Sequence, residues 1–242
     1  MKILCLDSTA KVATAAILSD ERVLAEYTVD GTRSHSELML PMLRSLLGST
    51  GLTPDEIDLF ACTVGPGSFT GVRIGVSVIK GIAFGRGKPC AAVSTLEALA
   101  ENTVGLSGLI CPVMDARRSQ VYNALFERRD GVLRRLTPDR AIGLSELGEE
   151  LCREHAGRPV LLVGDGVSVA RGALASAGVT LGEVPSLLLS QNAAAVGRVA
   201  LRMANEGITV SDDALRPLYL RLPQAERERL ERLEKEKQNQ GS

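Results

Sequence analysis

Tryptophan is absent from this 242-residue chain, and aromatic residues make up only 3% of it. A platform for stacking nucleobases needs aromatic faces, so that class of function is disfavoured at once. An excess of positive charge is lacking too: 28 Lys+Arg stand against 29 Asp+Glu, a formal net charge of −1. Independent nucleic-acid binding draws its affinity from neutralised phosphates, so any RNA must be held mainly by another molecule. There are two histidines, His35 and His155, about half the chain apart, and no H-E-x-x-H pair is possible. The five cysteines (Cys5, Cys62, Cys90, Cys111 and Cys152) form no C-x-x-C pair and lie mostly in apolar strands. That is the distribution of reduced, buried thiols in a cytoplasmic protein, and it disfavours a structural zinc site. No apolar run reaches the roughly 18–20 residues of a membrane span. Met1 to Asp7 runs directly into a strand with no signal-peptide cleavage region, so the expected location is cytoplasmic, without membrane attachment.

What is present is 45% hydrophobic and long enough for one large domain or two small ones. Strands are predicted at Ile3–Asp7, Val12–Leu18 and Arg22–Tyr27, then a helix at Ser36–Leu47 ending near Gly48. Leu59–Val64 reads as a buried strand, Thr70–Phe84 as a helix, Pro89–Val93 as a short strand, and another helix starts at Ser94. The order then repeats. Leu109–Asp115 echoes the first strand, each ending in aspartate, and Gln120–Arg128 and Gly131–Leu136 supply two further strands. A helix at Leu144–His155 precedes Val160–Gly166, which echoes the strand and glycine turn at 59–67, and a helix at Val167–Ala177 follows. Matching order at a near-constant offset indicates a duplicated β-β-β-α-β-α unit with a reduced second half. Residues 1–104 form the first unit, completed by a helix at 192–206, and residues 105–191 form the second. Residues 223–242 are a charged tail, expected to be disordered or a frayed helix, in which opposite charges such as Glu228 and Arg232 stand at i,i+4.

The most telling segment is Leu59 to Gly75. An apolar strand runs into Gly65-Pro66-Gly67, and Ser68 is a good N-cap for the helix beyond. A helix start after such a turn suits an anion, which makes Gly65, Gly67 and Ser68 candidate phosphate contacts. The spacing is one residue longer than the dinucleotide fingerprint, and no Gly-Lys-Ser/Thr follows, so this is neither that motif nor a P-loop. A G-x-S-x-G nucleophile elbow is missing as well.

Two helices are apolar over too wide an arc to be satisfied by one sheet face. The first carries Leu38, Met39, Leu40, Met42, Leu43, Leu46 and Leu47; the second carries Val72, Ile74, Val76, Val78, Ile79, Ile82 and Ala83. Small residues spaced by four along the second (Gly71 and Gly75, then Ser77, Gly81 and Gly85) allow another helix to approach closely. A partner surface is therefore expected at Met39, Met42, Leu43, Leu46, Gly71, Arg73, Ile74, Gly75, Val78 and Ile82.

Two duplicated halves, each with a strand-end aspartate and a glycine turn, resemble the actin–Hsp70–sugar-kinase architecture (ASKHA, ribonuclease H-like, α/β). Asp7-Ser-Thr9, His35-Ser-Glu37 with Pro41, the 65–75 segment, Met114-Asp-Ala-Arg-Arg118 with Val121-Tyr122, and Pro217-Leu-Tyr-Leu-Arg221 narrow the resemblance. Together they are similar to the TsaB (YeaZ) family of bacterial tRNA threonylcarbamoyladenosine (t6A) biosynthesis proteins, over about residues 1–222. The resemblance implies a non-catalytic scaffold that binds and activates TsaD, the transferase acting on the adenosine next to the anticodon. TsaE, an ATPase, is the further implied partner; tRNA is met only through the complex, and self-pairing is implied when the chain is alone. It also implies that Asp7, Ser8 and Thr9 stand where related ATPases face nucleotide, with ATP or ADP at the junction with the partner rather than tightly bound. The paralogue's metal-binding H-x-x-x-H maps onto Thr95 and Leu99, neither of which replaces imidazole, so neither catalytic nor metal-ligating residues are expected. The alternative is an autonomous ATP-dependent phosphotransferase.

Overall fold

A computed structural model describes residues 1–221 of the chain. The first sheet grows from β1 (Lys2–Asp7), β2 (Ala13–Ser19) and β3 (Arg22–Val29), which form an antiparallel meander. Helix α1 (His35–Thr50) follows, then β4 (Leu59–Gly65), α2 (Phe69–Ala83) and β5 (Cys90–Ser94). β4 and β5 add in parallel, giving the order β3-β2-β1-β4-β5. Alternation along β1 fixes both faces. Leu4 and Leu6 join the core beneath α1 and α2, and Ile3 and Cys5 face the opposite side. That opposite side is covered by α6 (Ala193–Asn205), as its run of buried alanines and valines anticipates.

Helix α3 (Thr95–Glu101) leads to the second sheet. It comprises β6 (Gly108–Asp115), β7 (Gln120–Asn123), β8 (Phe126–Arg129), β9 (Val132–Arg135), β10 (Arg140–Gly143) and, beyond α4 (Leu144–Glu154), β11 (Val160–Val163). β7 and β8 pair with β6 in one unbroken register, Asp115 with Val121 through Gly108 with Arg128. The single strand expected at 120–128 is therefore one path interrupted at Ala124–Leu125, where Leu125 turns its N–H to the Thr137 hydroxyl instead of the ladder. β11 adds to β6 in parallel, and α5 (Val167–Ser176) follows the second glycine turn. The second half follows the β-β-β-α-β-α order with one strand more than expected, β10, which pairs with β7 before α4, and a lone parallel bridge between Val160 and Leu181 stands where β5 stands in the first half. α1 differs from expectation at its end: Gly48 lies inside the helix, which stops at Gly51, whose φ of 67° supplies the left-handed cap.

Candidate functional site

The two glycine turns meet the ends of β1 and β6 across the molecule. The Ser68 N–H donates to the Thr9 carbonyl at 2.7 Å, and Ser68 Oγ accepts the Gly71 N–H at 3.2 Å. A Cβ at Gly67 would lie 2.5 Å from the Thr9 carbonyl oxygen, and one at Gly71 would collide with the Ser8 carbonyl. The second turn repeats the device, since a Cβ at Gly166 would lie 2.9 Å from the Val113 and Met114 backbone. These glycines are needed because backbone packs directly on backbone. The segment 216–221 closes the other side: the Leu218 N–H donates to the Val64 carbonyl at 2.7 Å, and the Leu218 carbonyl lies against Gly65. Leu218 thus packs one side of Gly65, while Pro66, Gly67 and Ser68 still line the cleft between the lobes.

Asp7, Ser8 and Thr9 have almost no exposed surface, although Thr9 borders the cleft between the lobes. Asp7 Oδ1 accepts the Thr9 N–H at 2.7 Å and the Thr9 hydroxyl at 2.6 Å, while Oδ2 has no partner. Burial raises the pKa of this carboxyl, against the pull of the Thr9 hydrogen bonds. Ser8 Oγ donates to the Gly71 carbonyl at 2.8 Å, tying α2 to the end of β1. Of the expected nucleotide-facing residues, Asp7 and Ser8 are packed beneath α2, whereas Thr9, Gly67 and Ser68 border the cleft between the lobes. His35 serves the same region structurally, with Nε2 donating to the Ala10 carbonyl at 2.7 Å.

Between the lobes lies a cleft of about 540 Å³ lined from both sides, including Lys11, Ser68, Asp115, Arg117, Tyr122, Asp165 and Arg221. Asp115 Oδ1 accepts the Arg117 N–H at 2.7 Å, so that pair is local. Arg117, Arg118 and Ser119 have φ values of 65°, 55° and 56°, a run of left-handed conformations costly for residues with a Cβ. Asp165, which the sequence reading passed over despite the echoed Gly164-Asp-Gly166, has an exposed edge. Its carboxyl is nevertheless held above the ordinary range, first by desolvation in the cleft and then by the Asp115 and Asp7 carboxylates. Among the described residues no three His, Cys, Asp or Glu side chains converge in a metal-holding group. Cys152, three residues before His155, donates instead to the Ala177 carbonyl. Thr95 and Leu99 are buried in the core.

The second candidate surface is the outer face of α1 and α2, and here the expected residues divide. Met39, Met42, Leu43, Leu46, Gly71 and Gly75 are buried in the chain's own core, so they are not an open contact surface. The sheet needs them: Met39, Leu43 and Leu46 pack with Leu4, Ile17 and Phe60. Arg73, Ile74, Val78 and Ile82 do reach the outside, together with Leu40, 57% exposed, and Phe84, 76% exposed, which the sequence reading left out. Two adjoining grooves of about 450 and 390 Å³ share Leu40. One runs past Pro41, Arg44, Leu47 and Ile82, the other past Phe69, Arg73, Ile74 and Val78. At the N-terminal end of α2, Tyr219 stacks on Phe69 at 4.8 Å between centroids and accepts the Arg73 Nε–H at 2.8 Å.

A family profile described as "TsaD: tRNA N6-adenosine threonylcarbamoyltransferase" matches residues 22–228. The chain is 38% identical to the Bacillus subtilis tRNA threonylcarbamoyladenosine biosynthesis protein TsaB over 70% of its own length and 73% of that protein's. It is 30% identical to the Escherichia coli protein of the same name, over 91% and 95% of the two chains. YeaZ from Pseudomonas aeruginosa superposes with a TM-score of 0.74 at 25% identity, covering 90% of this chain and 99% of that one.

Proposed function

The chain belongs to the TsaB family of t6A biosynthesis proteins, and we propose that it serves that pathway as a non-catalytic subunit, docking through the outer face of α1 and α2 onto a TsaD-type transferase and activating it. One observation carries the reading: the two helices bury one side in the core and still present an apolar, grooved face. Leu40, Ile74, Val78 and Ile82 line these grooves, and small residues at Ser77 and Gly81 leave room for an approaching helix. Exposed apolar surface of this kind marks an interaction site. The same face is available to a second copy of the chain when the transferase is absent. TsaE joins the larger assembly, tRNA is met through the complex, and ATP or ADP, where present, sits at the junction with the partner. The cytoplasm is the compartment such a pathway requires, and no helix among the described residues is long and apolar enough to cross a membrane.

Reconstitution tests the reading. Added to TsaD, TsaE, tRNA and threonylcarbamoyl-adenylate, the chain is expected to restore modification that TsaD lacks without it. Val78→Asp is expected to abolish co-purification with TsaD while leaving the melting temperature within a few degrees of the parent. Retained co-purification would remove the docking assignment. Robust ATP hydrolysis by the chain alone would favour the phosphotransferase alternative.

A further inference from the structure

Helix α3 joins the lobes, and its two carboxylates are the centre of an arginine network. Glu97 accepts Arg135 Nη2 from β9 at 2.9 Å and Arg202 Nη2 from α6 at 2.7 Å. One carboxylate thus bridges the second sheet to the helix backing the first. Glu101 repeats the bridge one turn on, with Arg128 of β8 at 3.4 Å, Arg198 of α6 at 3.4 Å and Arg202 at 3.6 Å. Side-chain exposure is only 8% at Glu101 and 5% at Arg128. Arg135 is fixed further by Asp139 at 2.5 Å and by lying over the Phe126 ring at 4.6 Å. Asp139 in turn accepts the hydroxyl of Ser94, the N-cap of α3, at 2.6 Å. The fold makes Glu97 the node of a two-lobe network.

A buried ion-pair network adds little net stability over a well-packed apolar contact, because desolvation offsets attraction. What it supplies is a preferred geometry, since moving either lobe breaks the half-buried Glu97 bridge, whose side chains are 25–37% exposed, and leaves the buried Arg128 and Glu101 unmatched. We propose that Glu97 and Glu101 are positioning residues that set the angle between the lobes, and so fix where the second lobe stands when the first is docked on its partner. The functional half of this rests on the docking reading; the lobe angle does not.

The test labels the full chain with nitroxides at Ser49→Cys on the end of α1 and Ser176→Cys on the end of α5, in a Cys152→Ala background. Both positions are exposed, and the four remaining native cysteines are buried. The parent is expected to give one narrow distance distribution by double electron–electron resonance. Glu97→Gln and Arg135→Gln are expected to broaden it at least about twofold, and Arg135→Lys, which keeps the charge but loses the fork to Glu97 and Asp139, to broaden it by less. In the reconstituted complex, Glu97→Gln is expected to lower turnover by roughly tenfold with the dissociation constant for TsaD unchanged. Glu101→Gln leaves Arg128 buried without its counter-charge; where it fails to fold, the Glu97 and Arg135 variants decide. A folded Glu97→Gln protein with the parent's narrow distribution overturns the proposal. Broadening alongside a Val78→Asp variant that still binds TsaD leaves the positioning role standing and removes the docking reading.

Discussion

Asp7 shows how a residue in a familiar place can do unfamiliar work. Its carboxyl is enclosed, with one oxygen bonded to Thr9 and the other unpartnered beside a Thr63 hydroxyl that also lacks a partner. Burial raises its folded-state pKa, so the folded chain holds this proton more readily than the unfolded chain. The associated stability is full below the unfolded carboxylate pKa and is lost as pH rises toward the raised value. Asp7→Asn keeps the acceptor for Thr9 and places a donor where Oδ2 was. It is therefore expected to be more stable than the parent by on the order of 1 kcal/mol above neutral pH. The advantage should shrink toward pH 5, as read by calorimetric melts across that range. An ionised Asp7 needed for the fold would give the opposite result, with the variant less stable at every pH. Sequence placed Asp7 correctly at the end of β1. It did not reveal the enclosure of the segment, because Gly67 and Gly71, which pack on Thr9 and Ser8, lie a whole helix–strand passage away.

Within α2, glycines that look alike in the sequence separate into two kinds. Gly71 rests on the Ser8 carbonyl and Gly75 on the Ser8 side chain and Leu6, whereas a Cβ at Gly81 would meet nothing within 4 Å. Gly71→Ala must push backbone against backbone and is expected to destabilise the chain by about 3 kcal/mol or more. Gly81→Ala, in an exposed stretch of helix, is expected to stabilise by about 0.5–1 kcal/mol. Chemical denaturation of the two variants reads both signs. α1 divides in the same way. Met39 has no exposed surface, so Met39→Asp is expected to cost several kcal/mol and lose the folded state, unlike Val78→Asp on the outer face. The periodicity of both helices was legible, as was their excess of apolar residues. Which part of that excess belongs to the sheet was not, since Leu38 to Leu47 reads almost continuously apolar and only the position of β1, β2 and β4 selects the inner arc.

At the scale of the molecule, duplication was the most legible feature, because strand-end aspartates and glycine turns leave local signatures at both sites. The closing of the cleft was not legible, because it depends on a segment from the far end of the described chain. Leu218 bonds Val64 at the first glycine turn, Tyr219 stacks on Phe69, and Arg221 donates to the Ala116 carbonyl at 3.0 Å and lies over Tyr122. One strap thus ties the first lobe to the second across the mouth of the cleft. The Thr9 and Leu218 carbonyls pack against Gly67 and Gly65, so a phosphate entering the cleft alone meets lone pairs beside the Gly67-Ser68 edge and lacks the contacts a partner would add. The isolated chain is therefore expected to show no saturable uptake of heat with Mg-ATP or Mg-ADP in isothermal titration up to millimolar concentration. The same titration into the assembled complex with TsaD is expected to saturate. Tight binding to the isolated chain, weakened by Ser68→Ala, would show that the cleft edge holds phosphate without a partner.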